Sequence, residues 1–147
     1  DASTSLIADG KYPLINTVAD YKHKWEIDEG SEVMWQIYLS PDELGSATGT
    51  TFRGQYKEDP SLMQMDYVPA QKLVDLYGNT DIRFDAFFLP FELTVSTGAS
   101  GWIYVFNKYP GNPNLYASLN TDQHFTNMPK PFRIAEQYLI AAEAYLG

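Results

Sequence analysis

A mainly α-helical chain with irregular loops and one small β-hairpin, α+β at this length, is what the 147 residues predict. Three features carry that expectation. The closing segment PFRIAEQYLIAAEAYLG sets Ile134, Ala135, Tyr138, Leu139, Ala142, Tyr145 and Leu146 in one broad apolar stripe at helical spacing. Residues 84–96 and 102–108 are rich in aromatic and β-branched side chains and are joined by the turn residues Thr97 to Gly101, the pattern of a hairpin. Between the periodic segments, residues 45–67 are rich in Gly, Ser and Thr, and residues 109–130 in Pro and Asn. Both read as long, irregular, exposed loops.

Taken in order, residues 2–9 bring Leu6, Ile7 and Ala8 up to Gly10 and Pro13, the stop signal of a helix. The stretch 16–44 mixes charges with EVMWQIYLS. There Val33, Trp35 and Ile37 alternate with Met34, Gln36 and Tyr38, which predicts a short strand with Trp35 in the core. A helix is expected over 69–77: Pro69 suits its first position, Leu73, Leu76 and Tyr77 share a face, and Gly78 ends it. Pro90 confines the first hairpin strand to an edge or a bulge. The terminal helix needs a cover for its stripe, either from upstream or from sequence beyond it.

The length fits one domain, 1–147, and 44% hydrophobic against 20% charged residues is too apolar for disorder. Aromatics reach 15% through eleven Tyr, eight Phe and three Trp. They serve either as core filling or as stacking platforms for sugar-like ligands. A net charge of −9 with ten Lys and Arg leaves no basic stripe, which argues against nucleic acid and against adhesion to anionic lipid through the domain itself. Cysteine is absent, so disulfides, thiolate zinc sites and a Cys nucleophile are excluded together. No apolar run approaches the ~20 residues needed to cross a bilayer.

No catalytic set is coherent. Glu136 and Glu143 share a helix face seven residues apart, about 10 Å along the axis, too far for an acid–base pair unless their side chains converge. Asp81 and Arg83 suit a bidentate ion pair that pins a loop, with a clamp on sugar hydroxyls as the other use. His23 and His124 stand in no ligand-spaced motif, and the acidic run Asp28 to Glu32 lacks the alternation of a calcium loop, so neither a metal nor a cofactor is expected. His23, Trp25 and Glu26 read as a loop or surface cluster, with Trp25 equally able to be core. On the strand 102–106, Trp102, Tyr104 and Phe106 share one face, and Ile103 and Val105 take the other. If the aliphatic face is core, the ring face with Tyr109, Asn112, Asn114 and Tyr116 offers a sugar platform: rings for C–H faces, amides for hydroxyls. The alternative is a ring cluster closing the core.

Several of these segments, in order, resemble the second half of SusD/RagB-family proteins. Arg133-Ile-Ala-Glu136-Gln-Tyr-Leu139-Ile-Ala-Ala-Glu143-Ala-Tyr145 is similar to that family's R-x-A-E-x-Y-L-x-x-A-E-A signature. LVDLYGNTDIRFDAFF resembles its helix ending in D-L-Y followed by an Asp-x-Arg pair, here Asp81 and Arg83. ADGKYPLI with Glu32 before VMWQIY resembles the exit from its helical repeats, and FNKYPG resembles the step before its terminal helix. The resemblance implies a non-enzymatic, lipid-anchored protein on the outer face of a Bacteroidetes outer membrane. Such a protein captures oligosaccharides, such as starch or other glycans, or peptides, and passes them to a SusC-like TonB-dependent transporter. It implies a structural role for Arg133, Glu136 and Glu143, with the carboxylates bonded to backbone or arginine. The family's proteins are longer and mostly α-helical, with helical repeats, so this chain is expected to be a segment lacking the lipidated N-terminus, the repeats and the end of the C-terminal region.

Overall fold

The computed structural model describes residues 2–41, 67–78, 80–94, 97–115 and 126–146. The expected 45–67 loop lies almost wholly outside them. In chain order come helices α1 (Ala2–Asp9) and α2 (Val18–Glu26), strand β1 (Val33–Trp35), and the short helices α3 (Gln71–Val74) and α4 (Phe84–Phe87). Strands β2 (Phe88–Thr94) and β3 (Ser100–Phe106), a 3-10 turn (Pro113–Leu115), strand β4 (Phe132–Arg133) and helix α5 (Ile134–Leu146) follow. Among the described residues the result is a small α+β fold with five helices and two two-stranded antiparallel sheets.

Helix α1 ends as its sequence predicts: Gly10 takes φ +67° and its N–H returns to Ile7 O. Helix α2 was not foreseen, although its signals are local. Thr17 caps it, its Oγ1 accepting from Asp20 N at 3.1 Å and donating to Asp20 Oδ2 at 2.6 Å. The buried face is Tyr21, Lys24 and Trp25, and the lysine within that face disguises the periodicity. With Ala86, Tyr21 and Trp25 form the core cluster, against which Ile15, Ile82, Phe87 and Tyr109 pack. Trp25 meets Phe87 and Tyr109 edge-on at 6.1 and 5.7 Å between ring centres. The expected surface cluster of His23, Trp25 and Glu26 is therefore corrected: Trp25 is core, and only its two neighbours face solvent.

Three other expectations change. Strand β1 is only three residues long, and its Trp35 is 53% exposed, tilted against Phe132 rather than buried. A register shift between Val33 and Trp35 turns the indole outward. Helix α3 spans four residues instead of nine, buries Val74, and leaves Leu76 exposed, because Tyr77 turns away to pack on Phe84 and Phe88. Residues 84–87 form a helical turn ahead of the hairpin, not its first strand. The hairpin itself pairs Phe88 with Phe106 through Thr94 with Ser100, and Pro90 sits opposite Tyr104 in this two-stranded, all-edge ribbon.

Strand β4 pairs with β1, Val33 opposite Arg133 and Trp35 opposite Phe132. Ile134 N bonds Glu32 O, and Ile37 N bonds Pro129 O, which extends the junction at both ends. This long-range pairing lays the segment 126–134 beside 28–37. Here the reading of 109–130 as exposed loop is corrected as well: Pro110, Gly111, Asn112, Leu115 and residues 126–128 are buried. Helix α5 packs on α1, where Ser3 Oγ donates to Gln137 Oε1 at 2.9 Å. Of its stripe only Ile134 is buried, joined by Ala141, while Leu139, Tyr145 and Leu146 are exposed. No helix among the described residues is long and apolar enough to cross a membrane.

Candidate functional site

The hairpin divides the predicted platform. At its base Phe88, Tyr104 and Phe106 belong to a ring cluster with Phe84 and Tyr77: Phe84 lies 5.4 Å from Tyr104, Phe88 6.1 Å from Phe106 and Tyr77 5.1 Å from Phe88. These rings close one face of the ribbon, as Val105, fully buried, anchors the other. Toward the tip the same ring face opens. Trp102 is 71% exposed, directly across from Glu92, which is also exposed. Beside it lies an open, largely apolar depression of about 250 Å³ lined by Leu93, Ala99, Gly101, Trp102 and Ile103. Strand pairing holds this indole on a rigid support while leaving its surface free.

The other predicted binding residues lie elsewhere. Tyr109 packs edge-on against Trp25 and is half-buried, and burial raises the pKa of its hydroxyl. Asn112 is 2% exposed, its Nδ2 donating to Ile27 O at 2.9 Å and Asp28 Oδ2 at 2.8 Å. Asn114 is exposed and its backbone N–H donates to Asn112 Oδ1. Tyr116 and His124 lie outside the described residues. The structure thus keeps Trp102 and Tyr104 on the hairpin, and puts Tyr109 and Asn112 into a separate, interior arrangement.

That interior arrangement is a buried polar network. Lys24 Nζ meets Glu32 Oε2 at 2.5 Å, and Lys130 Nζ meets Asp28 Oδ1 at 2.5 Å; all four side chains are buried. Glu32 Oε1 also accepts from Ile15 N. Asn127 Nδ2 donates to Trp25 O and to Asp28 Oδ1, its own Oδ1 accepts from Gly111 N, and Lys130 also reaches Met128 O. Asp28 holds φ +63°, a left-handed conformation that Asp tolerates better than most side chains. Gly30 passes so close to Lys24 that an added Cβ would stand 3.0 Å from that stem. The network ties the α2–β1 turn to the 110–112 and 126–130 segments, and so fixes where α5 begins.

Trp25 is its apolar centre. Lys24, Lys108, Lys130 and Arg133 stand 5.3, 4.9, 5.0 and 5.4 Å from its ring centre. Burial lowers the pKa of Lys24 to about 8 even though Glu32 opposes the shift. Burial lowers Lys130 too, against the pull of Asp28. Lys108 is lowered first by burial and then by the charges of Arg133 and Lys130. Trp25 Nε1–H is buried with no acceptor at full hydrogen-bond geometry among the described residues; its nearest approach is to the Tyr21 hydroxyl, a weak contact that lowers the pKa of that group against the larger, raising effect of burial.

Asp81 and Arg83 form the expected fork: Arg83 Nε donates to Asp81 Oδ1 at 2.8 Å and Nη2 to Oδ2 at 2.5 Å, between α3 and α4. The guanidinium holds the Asp81 carboxyl below its ordinary pKa, and Asp81 in turn raises that of Arg83. Arg83 also lies over Tyr77 at 5.2 Å. Arg133 is half-buried beside Trp25. Glu136 and Glu143 are exposed on α5, with no ion pair or hydrogen bond to another described residue. A cleft of about 450 Å³ bordered by Leu14, Asp20, His23, Glu29 and Ser31 is open to solvent. No group of three metal-binding side chains occurs among the described residues.

Sequence reading missed the network because it depends on contacts about a hundred residues apart, such as Asn127 to Asp28. One signal was available. Lys24 falls between Tyr21 and Trp25 on one helix face, where a lysine must be matched by an acid. What the fold and site define is a small α+β unit with an exposed indole on a hairpin and a buried charge network. Comparison with protein-family models and with curated proteins finds no match.

Proposed function

We propose that this chain is a ligand-capture module that binds glycan by stacking, without covalent chemistry. It works within a SusD-like nutrient-uptake protein beside a TonB-dependent transporter at the outer membrane. The observation that carries the reading is Trp102: a large indole left 71% exposed on a paired strand, with the Glu92 carboxylate opposite. Leaving a Trp side chain in water forgoes on the order of 2 kcal/mol of burial, and an indole face beside a hydrogen-bond acceptor suits a pyranose, which offers C–H groups on one side and hydroxyls at its edge. The resemblance in Arg133–Tyr145 and in Asp81 and Arg83 supplies the cellular setting.

A single stacking residue supports weak affinity per site, so useful retention would come from additional contacts in the parent protein and the transporter. Calorimetric titration with neutral oligosaccharides tests the reading. Saturable binding that Trp102→Ala weakens at least tenfold is expected, and reducing-end release without added enzyme is not. A chain that binds no glycan, or binds equally well after Trp102→Ala, contradicts it. The exposed apolar face of α5, with Leu139, Tyr145 and Leu146 in solvent, favours a second reading in which this segment serves mainly to hold another part of the assembly. In that case α5 substitutions impair assembly with the transporter, and glycan has no effect.

A further inference from the structure

The charge balance around Trp25 carries an inference independent of the hairpin. Two of the four cations near this indole are matched, Lys24 by Glu32 and Lys130 by Asp28. Lys108 and Arg133 have no carboxylate within ion-pair distance among the described residues. This leaves an excess of positive charge in a part-buried place, in a chain with 19 acidic and 10 basic residues. What sets these two apart from the exposed Lys11 and Lys72 is their part-buried position against rings.

All the unmet groups there are donors. An ammonium and a guanidinium carry no acceptor, and the buried Trp25 indole N–H, a donor, has no partner at full hydrogen-bond geometry among the described residues. Helix α5 starts at Ile134, directly after Arg133, so its amide end adds positive potential to the same locus. Trp25, Phe87 and Tyr109 surround Lys108 with rings at 4.9, 5.5 and 5.5 Å, a low-dielectric wall that strengthens any ion contact. Both Lys108 and Arg133 keep part of their surface in solvent.

We propose that Lys108 and Arg133, seated on Trp25, form a receptor for the oxyanion group of a small ligand, a carboxylate or a sulfate. The arginine fork accepts two oxygens side by side, and Lys108 supplies a point charge to the same group. An anion there removes the repulsion between the two cations and reverses the depression of the lysine's pKa that burial and Arg133 cause. The inference stands whether or not Trp102 binds sugar.

The test is an NMR titration of the chain, following the indole N–H resonance of Trp25, assigned with Trp35→Phe and Trp102→Phe. Sodium sulfate, sodium acetate and sodium glucuronate are the probes, at ionic strength held constant with chloride, and glucose is the neutral control. At least one oxyanion should shift the Trp25 resonance saturably and glucose should not. Lys108→Met, which keeps the apolar stem, should weaken that response tenfold or more. Tighter binding of glucuronate than of acetate assigns an acidic sugar, and tighter binding of sulfate assigns a sulfated or inorganic ligand. As a readout without substitution, the Lys108 pKa in the wild type should rise toward its ordinary value at saturation. No saturable shift with any oxyanion, an unchanged Lys108 pKa, or an equal response in a folded Lys108→Met overturns the proposal.

Discussion

Replacing Glu32 with Gln tests the buried network most sharply, because the structure fixes both the size and the pH dependence of the effect. Glu32 is 3% exposed and gives one carboxylate oxygen to Lys24 Nζ and the other to Ile15 N. Lys24 is fully buried, so the substitution strands an enclosed ammonium; breaking a pair of this kind destabilises by about 3–5 kcal/mol. Part of that loss depends on pH. With the Lys24 pKa at about 8, the wild type at pH 7 prefers the charged lysine by one pKa unit, about 1.4 kcal/mol, and that preference needs Glu32. At about pH 9 the wild-type lysine is itself mostly neutral, so the deficit of the variant should shrink by about 1 kcal/mol. Urea unfolding at the two pH values measures both. A destabilisation below about 1 kcal/mol at pH 7, or one unchanged at pH 9, refutes the argument that Lys24 is held charged by Glu32.

The remaining expectations are smaller. Wild-type stability should rise between about pH 8 and pH 10, because folded Lys24 gives up its proton near 8 while the unfolded lysine holds it to 10.5; Lys108 and Lys130 act with the same sign, and Tyr21 and Tyr109, raised above 10.0, oppose it only beyond that window. The gain is roughly 1–3 kcal/mol after screening, and a flat or falling urea midpoint contradicts it. Asn112→Ala should lower stability by about 2–3 kcal/mol through the orphaned Asp28 and Ile27 acceptors while leaving glycan affinity unchanged; loss of affinity in a stable variant would return Asn112 to the ligand. Asp81→Ala should cost under about 1 kcal/mol, since Arg83 is 54% exposed, and a larger loss would mean the fork organises the α3–α4 junction. Trp102→Ala should leave the unfolding midpoint nearly unaltered, within about 0.5 kcal/mol, because the indole is mostly in solvent.

Elements with strong local signals were legible. The Gly10 stop, the second hairpin strand and the terminal helix appear near their expected bounds, because capping glycine, alternation and a 3.6-residue stripe act within a few residues, while the first hairpin strand gives up residues 84–87 to a helical turn. Helix α2 escaped because Lys24 interrupts its apolar face, and only Glu32, eight residues on, makes that lysine tolerable. Trp35 and Trp25 show the same limit. Period-two alternation points Trp35 inward, but the register shift in β1 turns it out, whereas Trp25 in a charged stretch becomes the centre of the core. The site was half legible. Trp102 follows from strand parity beside a turn, while Asn112 and Tyr109, close to it in sequence, are drawn away by Asp28 and Trp25, contacts no local pattern encodes.

The most direct measurement of glycan capture is the NMR response of the Trp102 indole during titration of the isotopically labelled chain with neutral oligosaccharides of increasing length. The account predicts a saturable shift at Trp102 and at its cross-strand neighbour Glu92, with Trp35 silent although it is also exposed. A titration that leaves Trp102 unmoved, or moves both exposed indoles alike and without saturation, contradicts it.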